Sequence, residues 1–152
     1  MDNSRRPASE EKWLGLGTLD GVFGLHVGLA HSAIIQDFKR NFEPLQLTPK
    51  QTSLLWIADE NPGIAQADVA RLLLVDRATM LGITNSLARR GLIERRRSPN
   101  GGRRLGLHLT AQGVAMLSEA RRTVAQHEQG LKRRFTAAEL ETFVALLKRI
   151  YR

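Results

Sequence analysis

The side chains best suited to proton transfer or metal ligation are four histidines, His26, His31, His108 and His127. Their spacing forms no ligand set, and no HExxH, GxSxG or phosphate-cradling glycine loop occurs. His26 and His31 stand five residues apart, about 140° around a helix, so they do not converge as an i,i+4 metal pair does. The chain has no cysteine, which excludes a disulfide framework, a thiolate zinc site and a cysteine redox switch. No catalytic residue, metal or cofactor is expected, and the chain reads as a binding protein rather than an enzyme.

What remains is the chemistry of arginine. Lys and Arg number 23 against 15 Asp and Glu, for a net charge of +8 and a pI near 11.0. Between Arg71 and Arg104 nine arginines face only Asp76 and Glu94, so seven of the eight net charges fall in this segment, which holds no lysine. Scattered surface charges usually mark nothing more than a solvated face. Concentrated arginine is different, because its planar fork grips a phosphate or a guanine edge with two bonds.

The elements that must carry these arginines are legible from periodicity and caps. A helix is expected from Leu19 to about Glu43, with one apolar stripe of Val22, Leu25, Leu29 and Ala33 and a second of Phe23, Ala30, Ile34 and Phe38. Thr48-Pro49-Lys50-Gln51 is a capping box with proline at the first helical position, and Asn61-Pro62-Gly63 ends the helix it starts. A short helix over Gln66 to Leu73, a Val75-Asp76 turn and a helix from Arg77 to about Arg90, closed by Gly91, form a helix-turn-helix. Leu92 to Arg97 and the alternating Leu105, Leu107 and Leu109 read as two strands of a hairpin, with Ser98 to Gly102 as its turn. Thr110 caps a long helix, and Thr136 with Glu139 boxes a last one bearing Leu140, Phe143, Val144, Leu147, Ile150 and Tyr151. The fold class is thus mainly α with a small β-hairpin, a winged helix-turn-helix.

On the Arg77 helix, Met80, Ile83, Thr84 and Leu87 share a face that must lie on the core. The opposite face carries Ala78, Gly82, Asn85 and Arg89, flanked by Thr79, Leu81 and Ser86. Small and amide-bearing side chains suit a helix that enters a major groove and meets base edges. The competing explanation is that Ala78 and Gly82 mark close packing against another element. Expected contacts to double-stranded DNA are Arg77, Ala78, Thr79, Gly82, Asn85, Ser86 and Arg89 from the helix and Arg95, Arg97, Arg103 and Arg104 from the hairpin. Non-specific architectural binding of DNA or RNA is the alternative, since phosphate attraction is blind to sequence.

The outer helices carry more apolar surface than one small core needs, which calls for a homodimer with N- and C-terminal helices forming the dimerisation region. Residues 1–17 read as a polar tail, 18–46 and 111–152 as the dimerisation region and 47–110 as the DNA-binding region. No run approaches the roughly 18 apolar residues of a membrane span, and MDNSRRPASEEK lacks a signal peptide's apolar stretch, so no membrane partner and a cytoplasmic location are expected.

The ordered set Leu47-Thr48-Pro49-Lys50-Gln51, Asp68-Val69-Ala70, Val75-Asp76-Arg77-Ala78-Thr79, Leu87-Ala88-Arg89-Arg90-Gly91-Leu92-Ile93-Glu94-Arg95 and Leu109-Thr110-Ala111-Gln112-Gly113 resembles MarR-family regulators. The resemblance implies that Arg77 to Gly91 is the recognition helix and Glu94 to Leu109 the wing. The family's wing commonly carries an aspartate and two arginines near its tip; here those positions are Gly101, Gly102 and Arg103, so only the last matches. Ala65 stands where Ser or Thr usually caps the short helix. The resemblance further implies a repressor released from a pseudo-palindromic operator by a small-molecule effector, an aromatic or phenolic carboxylate or its CoA thioester. Trp13, His26, His31 and Trp56 are the candidate lining of such a cleft, with core packing as the plainer role for each.

Overall fold

The computed structural model describes residues 15–97 and 105–152. The chain divides after Ile34 into two compact units. In the first, a 3₁₀ turn, Gly17–Gly21, precedes helix α1, Phe23–Phe42, which continues into the second unit. The expected helix from Leu19 is therefore interrupted: Val22 is extended at φ −90° and ψ 100°, following a glycine-rich stretch with Gly17 at φ +57°. Glycine is the least costly residue for such a break.

In the second unit a 3₁₀ turn, Glu43–Leu45, leads to α2, Pro49–Glu60. The Gln51 N–H donates to Thr48 Oγ1 at 3.2 Å while the Thr48 N–H donates to Gln51 Oε1 at 3.0 Å, closing the expected capping box. Strand β1, Ile64–Ala65, then runs straight into α3, Gln66–Leu72. Helix α4, Arg77–Arg89, follows the turn, and Gly91 at φ +68° ends it. Strands β2, Ile93–Arg97, and β3, Leu105–Leu109, pair antiparallel from Ile93↔Leu109 to Arg97↔Leu105. Helices α5, Ala111–Lys132, and α6, Ala137–Tyr151, complete the chain, the second behind its own Thr136–Glu139 capping box.

β1 is the element periodicity does not announce. It adds a third strand to the hairpin in the order β1-β3-β2, pairing Ile64 with Leu107 and Ala65 with Gly106. The backbone of Gly63 passes so near Gly106 that a Cβ there would lie 2.5 Å from the Gly63 carbonyl oxygen. Only glycine allows that approach, and the wing is thereby anchored at its base to the helix-turn-helix.

The core gathers Phe42, Leu54, Leu55, Val69, Met80, Leu87, Leu92, Leu107 and Leu117. Thr84 is also fully buried, its hydroxyl donating to the Met80 carbonyl at 2.7 Å, so no polar atom of its side chain goes unpaired. Two contacts hold the end of α4. Arg90 donates to the carbonyls of Gln46 and Leu45 at 2.7 and 3.0 Å. The Thr110 hydroxyl donates to the Gly91 carbonyl at 2.6 Å and accepts from the Gly113 N–H at 3.0 Å. Helix α6, in contrast, has no buried residue, and Phe143, Val144, Leu146 and Ile150 all stand exposed.

Candidate nucleic-acid interface

The start of α4 is set by Asp76, whose carboxylate accepts from the Thr79 N–H at 2.9 Å and from the Thr79 hydroxyl at 2.6 Å. These Thr79 bonds hold the Asp76 carboxyl below its ordinary range, so it caps as an anion at the positive end of the helix. Thr79 is exposed, with its only hydroxyl proton committed to this cap.

From that start the helix presents two opposed faces. Met80, Thr84 and Leu87 are buried, and Arg77, Ala78, Gly82, Asn85 and Arg89 lie on the open side, joined by Leu81 at 48% exposure. A Cβ on Gly82 would meet nothing within 4 Å among the described residues. Close packing against another described element therefore does not account for that glycine. Ser86 is half-buried and accepts a 3.3 Å bond from Gln51 Nε2 of α2, which draws it toward the helix–helix contact.

The arginines separate into two groups. Arg71 pairs with Asp68, Arg96 with Glu94, and Arg90 binds backbone carbonyls, so these three serve the fold. Arg77, Arg89 and Arg97 are exposed and form no ion pair among the described residues. Arg95 is held differently, donating from Nη2 to Asn85 Oδ1 at 2.7 Å and to Gln66 Oε1 at 3.4 Å. Arg103 and Arg104, with Gly101 and Gly102, lie outside the described residues.

A helix-turn-helix, an adjoining three-stranded wing and an arginine–asparagine face open to solvent together form the arrangement of a DNA-reading head. A family model described as MarR family matches residues 47–105, from the residue before the capping box of α2 to the start of β3. Over 137 residues the chain is 34% identical to a Thauera aromatica protein described as a putative transcriptional regulator for the hcr operon, covering 90% of this chain and 82% of that one. The solved structure of the repressor CouR on a 23-mer DNA duplex superposes with a TM-score of 0.84 at 34% identity, covering 91% of this chain and 99% of that one. CouR bound to p-coumaroyl-CoA gives 0.83 at 33% identity, covering 91% and 98%.

The chain belongs to the MarR family.

As a MarR-family transcriptional regulator it is a DNA-binding protein and not an enzyme. Among the described residues no three His, Asp or Glu side chains gather into a metal site, and no helix is long and apolar enough to cross a membrane. Of the residues named for effector binding, Trp13 lies outside the described residues. His26 and His31 are exposed on α1, and His26 Nε2 lies 2.6 Å from the Asp20 carbonyl oxygen. Trp56 is half-buried on α2, donating from Nε1 to Glu60 at 2.7 Å beneath the Arg121 guanidinium, 4.8 Å above its ring. Arg121 in turn pairs with Asp59 at 2.9 Å.

Sequence reasoning passed over Gln66 and Arg121. Gln66 is 29 residues from the arginine it binds and Arg121 is 62 from its carboxylate, and no local pattern signals contacts at that range.

Proposed function

We propose that two copies of this chain grip a pseudo-palindromic operator and repress transcription until an aromatic acid, acting as its CoA thioester, releases them. The observation that carries the DNA-reading half is the open stripe of Ala78, Gly82, Asn85 and Arg89 opposite a fully buried one on the same helix. A backbone made accessible by Ala and Gly fits within a groove about 12 Å wide, where Asn85 and the arginines meet base edges and phosphates. Arg77 stands at the helix start beside the backbone path, and Arg97, Arg103 and Arg104 extend the contact along the wing. Thr79 and Ser86 stand at the edge of this surface, and Arg95 adjoins it through its bond to Asn85.

Residues 47–110 form the reading head in this proposal, and residues 18–46 and 111–152 supply the dimer contact. Supporting the dimer is α6, whose apolar side chains stand uncovered among the described residues. Two heads joined this way read half-sites about one helical turn apart. The thioester is favoured over the free acid because CouR, at 33% identity, was solved with p-coumaroyl-CoA. The nucleotide phosphates of such a ligand also complement a chain of net charge +8. The cytoplasm, where CoA thioesters and operators meet, is the proposed location.

The test is a binding titration on a duplex recovered by the protein from a randomised pool, in excess random duplex at moderate salt. Specific binding that survives the competitor supports the reading. Adding p-coumaroyl-CoA should weaken the complex about a hundredfold, a coupling of about 2.7 kcal/mol, with p-coumarate and CoA alone much weaker. Equal competition by random DNA overturns the operator, and operator affinity indifferent to every aryl-CoA thioester overturns the release.

A further inference from the structure

Among the described arginines of the wing, Arg95 is the one whose guanidinium points at neutral amides of two helices. Its Nη2 lies 2.7 Å from Asn85 Oδ1 of α4 and 3.4 Å from Gln66 Oε1 at the start of α3. Strand alternation puts it on the same side of β2 as the buried Ile93, which faces the helix-turn-helix. The carboxylates on β2, on α3 and at the cap of α4 have other partners: Glu94 with Arg96, Asp68 with Arg71 and Asp76 with Thr79.

We propose that Arg95 is a positioning residue that sets base preference by holding the Asn85 carboxamide, and is not itself a phosphate contact. This rests on the reading of α4 as the base-contacting helix. An asparagine amide has two nearly isosteric ends, a donor and an acceptor, and left alone it presents either. A guanidinium has only donors, so Asn85 must turn its oxygen to Arg95 and its NH₂ outward. The open edge of Asn85 then carries a donor, which selects an acceptor such as a purine N7 in the major groove. Holding the side chain before binding also removes part of the ordering cost that would otherwise oppose the contact. Gln66 occupies the second Nη2 hydrogen and keeps the guanidinium turned toward α4.

The experiment is a double-mutant cycle on the intact dimer with Arg95→Ala, Asn85→Ala and both together. Each is titrated on a duplex selected by the wild-type protein and on that duplex changed at every base pair in turn. Both single variants should lose preference at the same base pair in each half-site, about fivefold or more, and the double variant should lose no more than Asn85→Ala. The salt dependence of Arg95→Ala should match the wild type. A slope shallower by about 0.9 for each phosphate that is no longer neutralised, about 1.8 for the dimer, with base preference kept, would overturn the proposal. So would additive losses in the double variant. In the DNA-free dimer the ¹⁵N signals of the Asn85 side-chain amide should shift on Arg95→Ala, and an unshifted pair overturns the contact directly. If Arg95→Ala fails to fold, Gln66→Ala releases the guanidinium without changing charge and should weaken preference at that same base pair, its silence there being the contrary result. Asn85→Ala that keeps wild-type preference everywhere overturns the base-reading role of Asn85 and this proposal with it, while the amide spectra still judge the Arg95 contact separately.

Discussion

His127 is buried at 4% side-chain exposure, an uncommon place for an imidazole, and its Nδ1 lies 2.8 Å from Asp37 Oδ2. Asp37 also accepts from Arg40 at 3.1 Å and from Asn41, so one carboxylate on α1 gathers three partners and ties α5 to it. The stacked Phe38 and Phe42 rings, 3.7 Å apart, pack beside the pair, with Phe38 meeting His127 edge-on. Desolvation pushes the Asp37 carboxyl up, but the His127 and Arg40 hydrogen bonds and charges outweigh it and hold the group below its ordinary 3.8. A carboxyl whose folded value is depressed contributes stability that is complete above its unfolded value and vanishes as the pH falls through the folded one. Asp37→Asn should therefore lower the melting temperature at neutral pH and flatten the fall in stability below about pH 4, the ordinary carboxylate range. Thermal unfolding followed by circular dichroism from pH 2 to 7 checks this; parallel curves for the two proteins would remove Asp37 from the account.

At the scale of the element, α4 places a glycine in the middle of a well-formed helix, and no described residue lies within 4 Å of where its Cβ would stand. Glycine there costs the helix about 0.5–1 kcal/mol relative to alanine. Gly82→Ala should accordingly raise the melting temperature while weakening operator binding, because the added methyl stands on the face proposed to enter the groove. Thermal unfolding and an operator titration on the same sample check both halves; a variant that is more stable and binds as well as wild type would take Gly82 off the DNA-facing surface. The wing allows a complementary test. Arg103→Ala should weaken all duplexes alike and make the salt slope shallower by about 0.9 for each phosphate it had neutralised, measured by titration across salt concentrations on specific and random DNA. A loss confined to narrow A·T tracts would instead assign Arg103 to the minor groove.

In the whole molecule the apolar surface of α6 is the feature a single chain leaves unresolved. Phe143, Val144, Leu146 and Ile150 are exposed on a helix that buries nothing, an arrangement that favours self-association. Light scattering at micromolar concentration should give the mass of two chains and not the 17.0 kDa of one. Val144→Glu together with Ile150→Glu should shift the protein to monomer without unfolding the reading head, at about 1.5–3 kcal/mol of association per side chain removed from the interface. Operator affinity should fall with it, because a monomer reads one half-site. A double variant that remains a dimer would move the interface elsewhere.

The amino-acid sequence by itself determined the caps, the helix-turn-helix, the hairpin and the concentration of charge. The caps and the helical faces depend on residues within about a turn of one another: Thr48 with Gln51, Asp76 with Thr79, Thr136 with Glu139, and the buried–exposed alternation of α4. Ser86 shows where local reading stops, because its place on the helical wheel suits the groove while Gln51, 35 residues away, holds it toward α2. Tertiary structure decided which arginines are committed and which are open, since Arg90, Arg95 and Arg121 find their partners 44, 10 and 62 residues distant. It also decided the third strand, for Ile64–Ala65 is too short to show a period and becomes a strand only because Gly106 lets the two backbones meet. Local propensity acts over a few bonds of chain, whereas these contacts exist only once the fold has brought distant residues together.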